Sequence, residues 1–122
     1  DLEWERACKG PESFVYSYGD AFDTSKCGSA IASDDNKDRK SDFNSGGMAE
    51  CKSGYGVYDM SGGPREWTAA TGHSKDKHII KGGKKGTISE KTLRCGYIDE
   101  QSDGWSDSTT SFRCCMDDNQ GN

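Results

Sequence analysis

The stretch Gly54-Tyr55-Gly56-Val57-Tyr58-Asp59-Met60-Ser61-Gly62-Gly63-Pro64-Arg65-Glu66-Trp67-Thr68 decides how this chain is read. Val57 and Tyr58 are strand formers set between glycines. Ser61-Gly62-Gly63-Pro64 then breaks the strand, because glycine takes positive φ and proline locks its own. Glu66-Trp67-Thr68 closes the stretch with a carboxylate beside the largest apolar ring in the code. A strand, a sharp turn and a tryptophan of this kind make a core anchor. The turn carbonyls and the Glu66 carboxylate together make an oxygen cage suited to a hard cation.

Outward from that stretch, the bulk composition sets the bounds. A chain of 122 residues makes one domain. Only 30% of it is hydrophobic and 16 residues are glycine, so a loop-rich fold with little core needs staples. The 6 cysteines are the obvious supply. An even count at wide spacing reads as three disulfides formed in an oxidising compartment, and spacing alone does not choose the pairing. A zinc site is the alternative, but there is no Cys-x-x-Cys and neither histidine lies near a cysteine. The net charge of −5 comes from interleaved acids and bases, and without a basic stripe nucleic acid is not an expected partner. No run is long and apolar enough to span a bilayer. No signal peptide is visible, so a secreted chain would have lost its leader. No Asn-x-Ser/Thr sequon occurs.

Asp1 to Lys9 reads as a helix stopped by Gly10-Pro11, with Trp4 and Cys8 on one face. Phe14 to Tyr18 reads as a strand turned by Gly19-Asp20. Gly28 to Gly47 is a polar excursion, either disordered or pinned at its ends by Cys27 and Cys51. Asp34, Asp35, Asn36, Asp38 and Asp42 within it are either a solvated loop or a second cation site, and the EF-hand spacing is not met. Thr68 to Asp76 reads as loop, His78 to Lys81 as a strand ended by Gly82-Gly83, and Lys84-Lys85-Gly86 as a basic tip. Thr92 to Ile98 reads as a strand, Asp99 to Thr110 as a polar loop, Ser111 to Met116 as the last strand, and Asp117 to Asn122 as a polar tail.

Three groups of residues invite a functional reading. Trp105, in a Gly/Ser/Asp loop, either stacks on a ligand or folds onto the core. His73 and His78 are either two members of an iron-binding facial triad or surface histidines near a strand start. Cys114 and Cys115 are adjacent, and on a strand they point to opposite faces, so they suit bonds to two different partners better than redox chemistry. No Gly-x-Ser-x-Gly elbow, Walker loop or His-Glu-x-x-His motif is present.

Several motifs, in order, resemble the formylglycine-generating-enzyme/sulfatase-modifying-factor family. Gly-Val-Tyr-Asp-Met-Ser-Gly-x-x-x-Glu-Trp-Thr over 56–68 resembles its signature, and Glu3-Trp4-Glu5-Arg6-Ala7-Cys8-Lys9-Gly10 the end of its Glu-Trp-Glu helix. Tyr18-Gly19-Asp20 resembles its Trp/Tyr-Gly-Asp/Asn loop, and Lys81-Gly82-Gly83 its Arg-Gly-Gly turn. Leu93-Arg94-Cys95 and Ser111-Phe112-Arg113-Cys114-Cys115 resemble its last two strands. The resemblance implies an α+β, C-type-lectin-like fold, loop-rich with short antiparallel strands and stapled by disulfides. It would form a single domain over 1–122 that lacks the family's longer N-terminal part, as a natural short form or a proteolytic core. By the same resemblance Cys8 pairs with Cys114, and we expect Cys27–Cys95 and Cys51–Cys115 for the remainder. A structural calcium is implied at Ser61, Pro64 and Glu66. Gly63 stands where the family usually has an asparagine and Arg65 brings a positive charge close, and both weaken that site. The alternative is that Glu66 pairs with Arg65, Arg94 or Arg113.

The family's enzymes oxidise a substrate cysteine to formylglycine with copper and oxygen, using two cysteines shortly after the Gly-Gly turn, since thiolate pairs hold Cu(I) well. Gly82 to Thr92 contains no cysteine, so no copper is expected. A second branch works on thiol sulfoxidation with iron and uses a histidine-rich front domain, which this chain lacks. The sugar-chelating triplets of the wider lectin fold are also missing. The expectation is therefore a secreted domain, extracellular or periplasmic and non-catalytic, that serves as a binding module or as a structural, self-assembling one. Trp4, Trp67 and Phe112 would be core. The loops 28–47, 84–91 and 99–110 would meet an extracellular ligand or a second copy. The alternative is an oxidoreductase whose catalytic residues are not recognisable here or lie on a region before Asp1.

Overall fold

The computed structural model describes residues 1–27, 45–83, 89–106 and 110–116. Helix α1, Leu2–Lys9, carries Glu3 and Glu5 in its first turn and Arg6 and Lys9 in its last, the order that complements the helix dipole. Lys9 and Glu5 also form an i,i+4 ion pair at 2.6 Å. Gly10 ends the helix at φ 69°. It lies so close to the start of the signature stretch that a Cβ on it would stand 3.0 Å from the Gly54 amide nitrogen. Trp4 and Cys8 point inward as their spacing requires, and with Met60 and Cys95 they form the core cluster, flanked by Ala7 and Val57. Helix α2, Thr24–Cys27, is a single turn whose entry is fixed by Asp23, which accepts hydrogen bonds from the Ser25 amide and hydroxyl.

Four strands follow: β1 Arg65–Thr71, β2 Lys77–Lys81, β3 Asp99–Ser102 and β4 Thr110–Phe112. They form one sheet in the order β3-β2-β1-β4. β1 and β2 are antiparallel with Glu66 opposite Lys81 and Trp67 opposite Ile80. The register shifts between Trp67 and Thr71, where the Thr68 hydroxyl donates to the Ile79 carbonyl and accepts from the Ala70 amide. β2 and β3 are also antiparallel, but β4 runs parallel to β1, with Glu66 opposite Ser111 and Trp67 opposite Phe112. The sheet is therefore mixed, where short antiparallel strands were expected.

Several strand expectations need correction. Val57-Tyr58 makes only an isolated bridge, Lys52 to Tyr58, and Phe14 to Tyr18 only another, Tyr16 to Gly19. Gly19, at φ 150°, turns the chain before a ladder can form. Tyr16 is held instead by stacking on Tyr18 at 5.5 Å and by donating its hydroxyl to the Glu90 carbonyl. The first true strand lies beyond the turn and takes in Thr68 to Thr71, a segment expected as loop. Thr92 to Ile98 is a turn, not a strand: Leu93 donates to the Ser89 carbonyl and Cys95 to the Val15 carbonyl. The ladder starts only at Asp99, so Asp99 to Ser102 is strand. β4 stops at Phe112 rather than continuing to Met116.

The disulfides differ from the expected pairing too. They are Cys8–Cys95, with Cα atoms 5.7 Å apart, and Cys27–Cys51, at 4.7 Å. Cys95 sits under α1 because the 93–95 turn is hydrogen-bonded to Val15, so it meets Cys8 in the core. Cys27–Cys51 closes the excursion at its two ends, which is one of the two readings of that loop. Cys114 and Cys115 lie past β4 as exposed free thiols. Phe112 is 74% exposed, so it is not core, whereas Trp4 is buried and Trp67 half-buried.

Candidate functional site

The signature turn is built by local chemistry. Asp59 adopts φ 68°, a conformation that aspartate tolerates better than most residues. Its amide donates to the Cys51 carbonyl, and its carboxylate accepts the Gly46 amide at 2.8 Å. Gly62, at φ 140°, passes so near α2 that a Cβ would come 2.9 Å from the Cys27 carbonyl. The buried Ser61 hydroxyl accepts the Ser17 amide at 3.0 Å. Both faces of the turn are thus held by other parts of the chain before it delivers Glu66 to β1.

Glu66 is the centre of the site. Its carboxylate is 4% exposed and three N–H groups reach it. The Trp4 indole donates to Oε2 at 2.7 Å, Arg113 Nε donates to Oε2 at 3.0 Å, and an Arg113 terminal nitrogen donates to Oε1 at 2.7 Å. The same Arg113 nitrogen reaches the Tyr58 carbonyl at 2.8 Å. This bidentate pair is the strong form of a charge-assisted hydrogen bond. The Glu66 carboxylate raises the Arg113 pKa further above its ordinary value. Of the three arginines named as alternative partners, Arg113 is the one that takes Glu66.

That arrangement leaves the Glu66 carboxylate poorly suited to the cation implied at the Ser61 and Pro64 carbonyls and Glu66. Both Glu66 oxygens face hydrogen-bond donors, and a guanidinium already supplies the positive charge. Arg113 bridges a carboxylate and a backbone carbonyl, the two oxygen types that a hard cation would take there.

In front of Arg113 opens a shallow cleft of about 510 Å³ lined by Ser45, Gly46, Gly56, Val57, Tyr58, Asp59 and Arg113. Its size suits a small ligand or one side chain of a partner. It joins the signature loop to β4, and nothing in the sequence pattern marked it beyond the Asp59 and Arg113 positions themselves.

The other candidate residues lie elsewhere. Trp105 packs edge-on against Trp67, with ring centroids 6.0 Å apart, and takes the Arg65 guanidinium over its face at 5.2 Å. Its ring is therefore used within the fold. His73 and His78 do not share a ligand: His73 Nδ1 meets Glu100 at 2.8 Å and His78 Nδ1 meets Asp103 at 2.5 Å. Asp34, Asp35, Asn36, Asp38 and Asp42 lie outside the described residues, as does 84–88, just after the Gly-Gly turn. Among the described residues no group of three or more His, Cys, Asp or Glu side chains is arranged to hold a metal.

Sequence reasoning missed two buried cations. Arg65 is 2% exposed, donates to Thr110 Oγ1 at 3.0 Å and stands 3.6 Å from Asp99. Lys81 is fully buried, 3.5 Å from Glu5 and 5.4 Å from the Trp4 ring centroid. Burial lowers the Lys81 pKa from its ordinary value.

With this geometry in hand, one comparison is positive. The family model described as a sulfatase-modifying factor enzyme 1-like domain matches residues 1–118. No curated protein and no solved structure matches the chain.

Proposed function

The chain belongs to the sulfatase-modifying factor enzyme 1-like family, and we propose that it is a non-catalytic member, working outside the cytoplasm as a binding or self-assembling module on a C-type-lectin-like frame. The observation that carries this reading is the fate of the thiols. Four cysteines are locked in two disulfides, and the other two lie past β4 on the surface. None falls in the stretch from Gly82 to Thr92, where the family's copper-binding pair would stand. The two disulfides are compatible with an extracellular protein, and no described helix is long and apolar enough to cross a membrane.

The cleft beside Arg113 and Asp59 supports the binding half of the reading. It lies on a rigid support, since the Asp59 backbone and the Arg113 side chain are both fixed by buried partners. Partner contacts would come from this cleft. Calcium has no role at Glu66 in this reading, because Arg113 holds that carboxylate.

The test is an assay for aldehyde formation in a cysteine-containing peptide, with copper and oxygen supplied, together with metal analysis of the purified protein. The expected result is an unchanged peptide and no stoichiometric copper or iron. Aldehyde formation, or bound copper with oxygen consumption, would overturn the reading. Light scattering at rising concentration tests the assembling half, where a shift above monomer mass is expected.

A further inference from the structure

We propose that the cleft beside Arg113 takes the free N-terminus of a peptide, with the ammonium on Asp59 and the first carbonyl on Arg113. The proposal rests on the binding half of the reading above and names the ligand class of that cleft.

Two charged groups on the cleft wall keep bonding capacity that the fold does not use. Asp59 is only 6% exposed. Its Oδ2 accepts the Gly46 amide, and among the described residues its Oδ1 has no hydrogen-bond partner. A largely buried carboxylate oxygen without a donor is costly, and it favours a cation that brings one. Arg113 spends its Nε and one terminal nitrogen on Glu66 and the Tyr58 carbonyl. Its other terminal nitrogen has no acceptor among the described residues, and the side chain is 32% exposed. The guanidinium is planar and held on one edge, so the spare N–H groups have a fixed direction.

The two groups are neighbours without being partners. The Arg113 pKa, raised chiefly by its bond to Glu66, is raised further by the Asp59 charge, yet no ion pair joins Asp59 to Arg113 among the described residues. A small group can therefore stand between them and bond to both. Charge then selects the group. Glu66 already balances Arg113, which leaves Asp59 to be matched. Lys52 lies over the Tyr58 ring at 6.0 Å, but it is exposed and screened by water. A ligand with one positive charge and a neutral oxygen acceptor next to it completes the site. A peptide N-terminus is that pair, an ammonium one carbon away from a carbonyl. A lysine side chain has the ammonium but no nearby oxygen. A free amino acid adds a carboxylate to a site that already holds two.

The rest of the lining suits the end of a chain. Gly46 and Gly56 present no side chain, so a ligand backbone can come close. A Cβ on Gly46 would stand 3.7 Å from the Tyr58 ring, so the ring closes that side. A Cβ on Gly56 would meet nothing within 4 Å, so the cleft is open there and the rest of the peptide leaves over it. Val57 and the Tyr58 ring give the first side chain an apolar wall.

The experiment titrates the full chain with trialanine amide at about pH 6, where the peptide amine is charged, and follows the Gly46 and Gly56 amide signals by NMR. The expected result is saturable binding in the millimolar range that moves those signals. N-acetyl trialanine amide should bind at least about tenfold more weakly, as should butylamine, which lacks the carbonyl, and free alanine, which adds a carboxylate. Asp59→Asn keeps an oxygen for the Gly46 amide and tolerates the same positive φ, so it should stay folded and lose about tenfold in affinity for trialanine amide. Four results would each overturn the proposal: no saturable shift, an acetylated peptide that binds as well as the free one, butylamine or alanine binding as tightly as trialanine amide, or a folded Asp59→Asn that binds unchanged. The aldehyde assay on the same sample keeps the two readings apart. Failed or acetylation-insensitive binding without aldehyde formation removes only this ligand, whereas aldehyde formation removes the non-catalytic reading whatever the titration shows.

Discussion

The two ends of the chain treat sulfur and apolar surface in opposite ways. Around α1, Cys8 is bridged to Cys95, Trp4 is buried, and Met60 closes the cluster. Around β4, Cys114 and Cys115 are free thiols, and Phe112 and Met116 face outward. One ion pair links the two regions, because the Glu66 carboxylate takes Trp4 from the first and Arg113 from the second. The difference shows where stability is concentrated in a chain with little apolar material. Cross-links and a small cluster hold the α1 end, whereas the β4 end is attached by its parallel ladder with β1, by the Arg65–Thr110 hydrogen bond and by the Arg113–Glu66 pair, with no disulfide among the described residues.

If that division is right, removing cysteines should have very different costs at the two ends. Replacing Cys8 and Cys95 together by alanine opens a cross-link with a sequence separation of 87. The chain-entropy relation then gives a loss of about 4.6 kcal/mol. The same change at Cys27 and Cys51, separated by 24, gives about 3.4 kcal/mol. Cys114→Ser with Cys115→Ser should stay within about 0.5 kcal/mol of wild type, as surface changes do. Urea unfolding of monomeric samples measures all three. A large loss from the surface pair would erase the contrast.

The joint between the regions comes next. Glu66→Gln keeps the shape and an acceptor for the Trp4 indole, but leaves the Arg113 guanidinium without its counter-charge. A loss of roughly 3 kcal/mol is expected for breaking a largely buried pair from one side. Arg113 is itself partly open to water, with 32% side-chain exposure, so water can recover part of that cost. Arg113→Lys should lose less, about 1–2 kcal/mol, because a point charge cannot bridge both carboxylate oxygens and the Tyr58 carbonyl. Added calcium should not restore either variant. Calcium rescue of Arg113→Lys would show that the turn is a cation site after all.

Trp105→Ala sharpens the comparison on the sheet side. The ring is half-buried against Trp67 and Arg65, and losing both contacts should cost roughly 2 kcal/mol. A tryptophan used only to grip a ligand would cost nothing in the free protein, so thermal unfolding distinguishes the two roles.

These residues also show what the sequence could disclose. α1 was legible because its helix formers, its stop at Gly10 and the spacing of Trp4 and Cys8 agree. β2 was legible because Ile79 and Ile80 stand before two glycines. β1 was read one turn too early: Val57 and Tyr58 have strand propensity, but Arg65 and Glu66 have partners, and the partners decide. β3, Asp-Glu-Gln-Ser, has no propensity to read and exists because β2 offers it an edge. The disulfide pairing was illegible for a related reason. It depends on the 93–95 turn docking on Val15, a contact that no spacing encodes. At the site, Glu66 and its possible arginine partners could be named in advance. The Trp4 bond and the cleft at Asp59 required the fold.

The smallest expected effect concerns Lys81, whose nitrogen is buried and, among the described residues, is 3.5 Å from Glu5, at the limit of a hydrogen bond, and 5.4 Å from the Trp4 ring centroid, with the Lys9 charge at longer range. Desolvation lowers its pKa in the folded state, so between that value and the ordinary lysine value of about 10.4 the unfolded chain binds the extra proton. Stability should therefore rise with pH across that window. Two groups bracket it. Glu5, whose pKa is lowered chiefly by its hydrogen bond from Lys9, adds stability that is lost only as pH falls through the carboxylate range. Tyr18, whose pKa is raised by burial, subtracts stability only above about pH 10. Unfolding measured from about pH 8 to 10, in the Cys114→Ser, Cys115→Ser background to prevent thiol exchange, should show the rise, and Lys81→Met should remove it. The methionine variant should be within about 1 kcal/mol of its parent at pH 7, on the stabilising side, because an apolar chain of similar length needs no desolvation there. A flat profile in the parent would mean that the lysine nitrogen reaches water, and the α1 end would then be less tightly closed than the contrast with β4 requires.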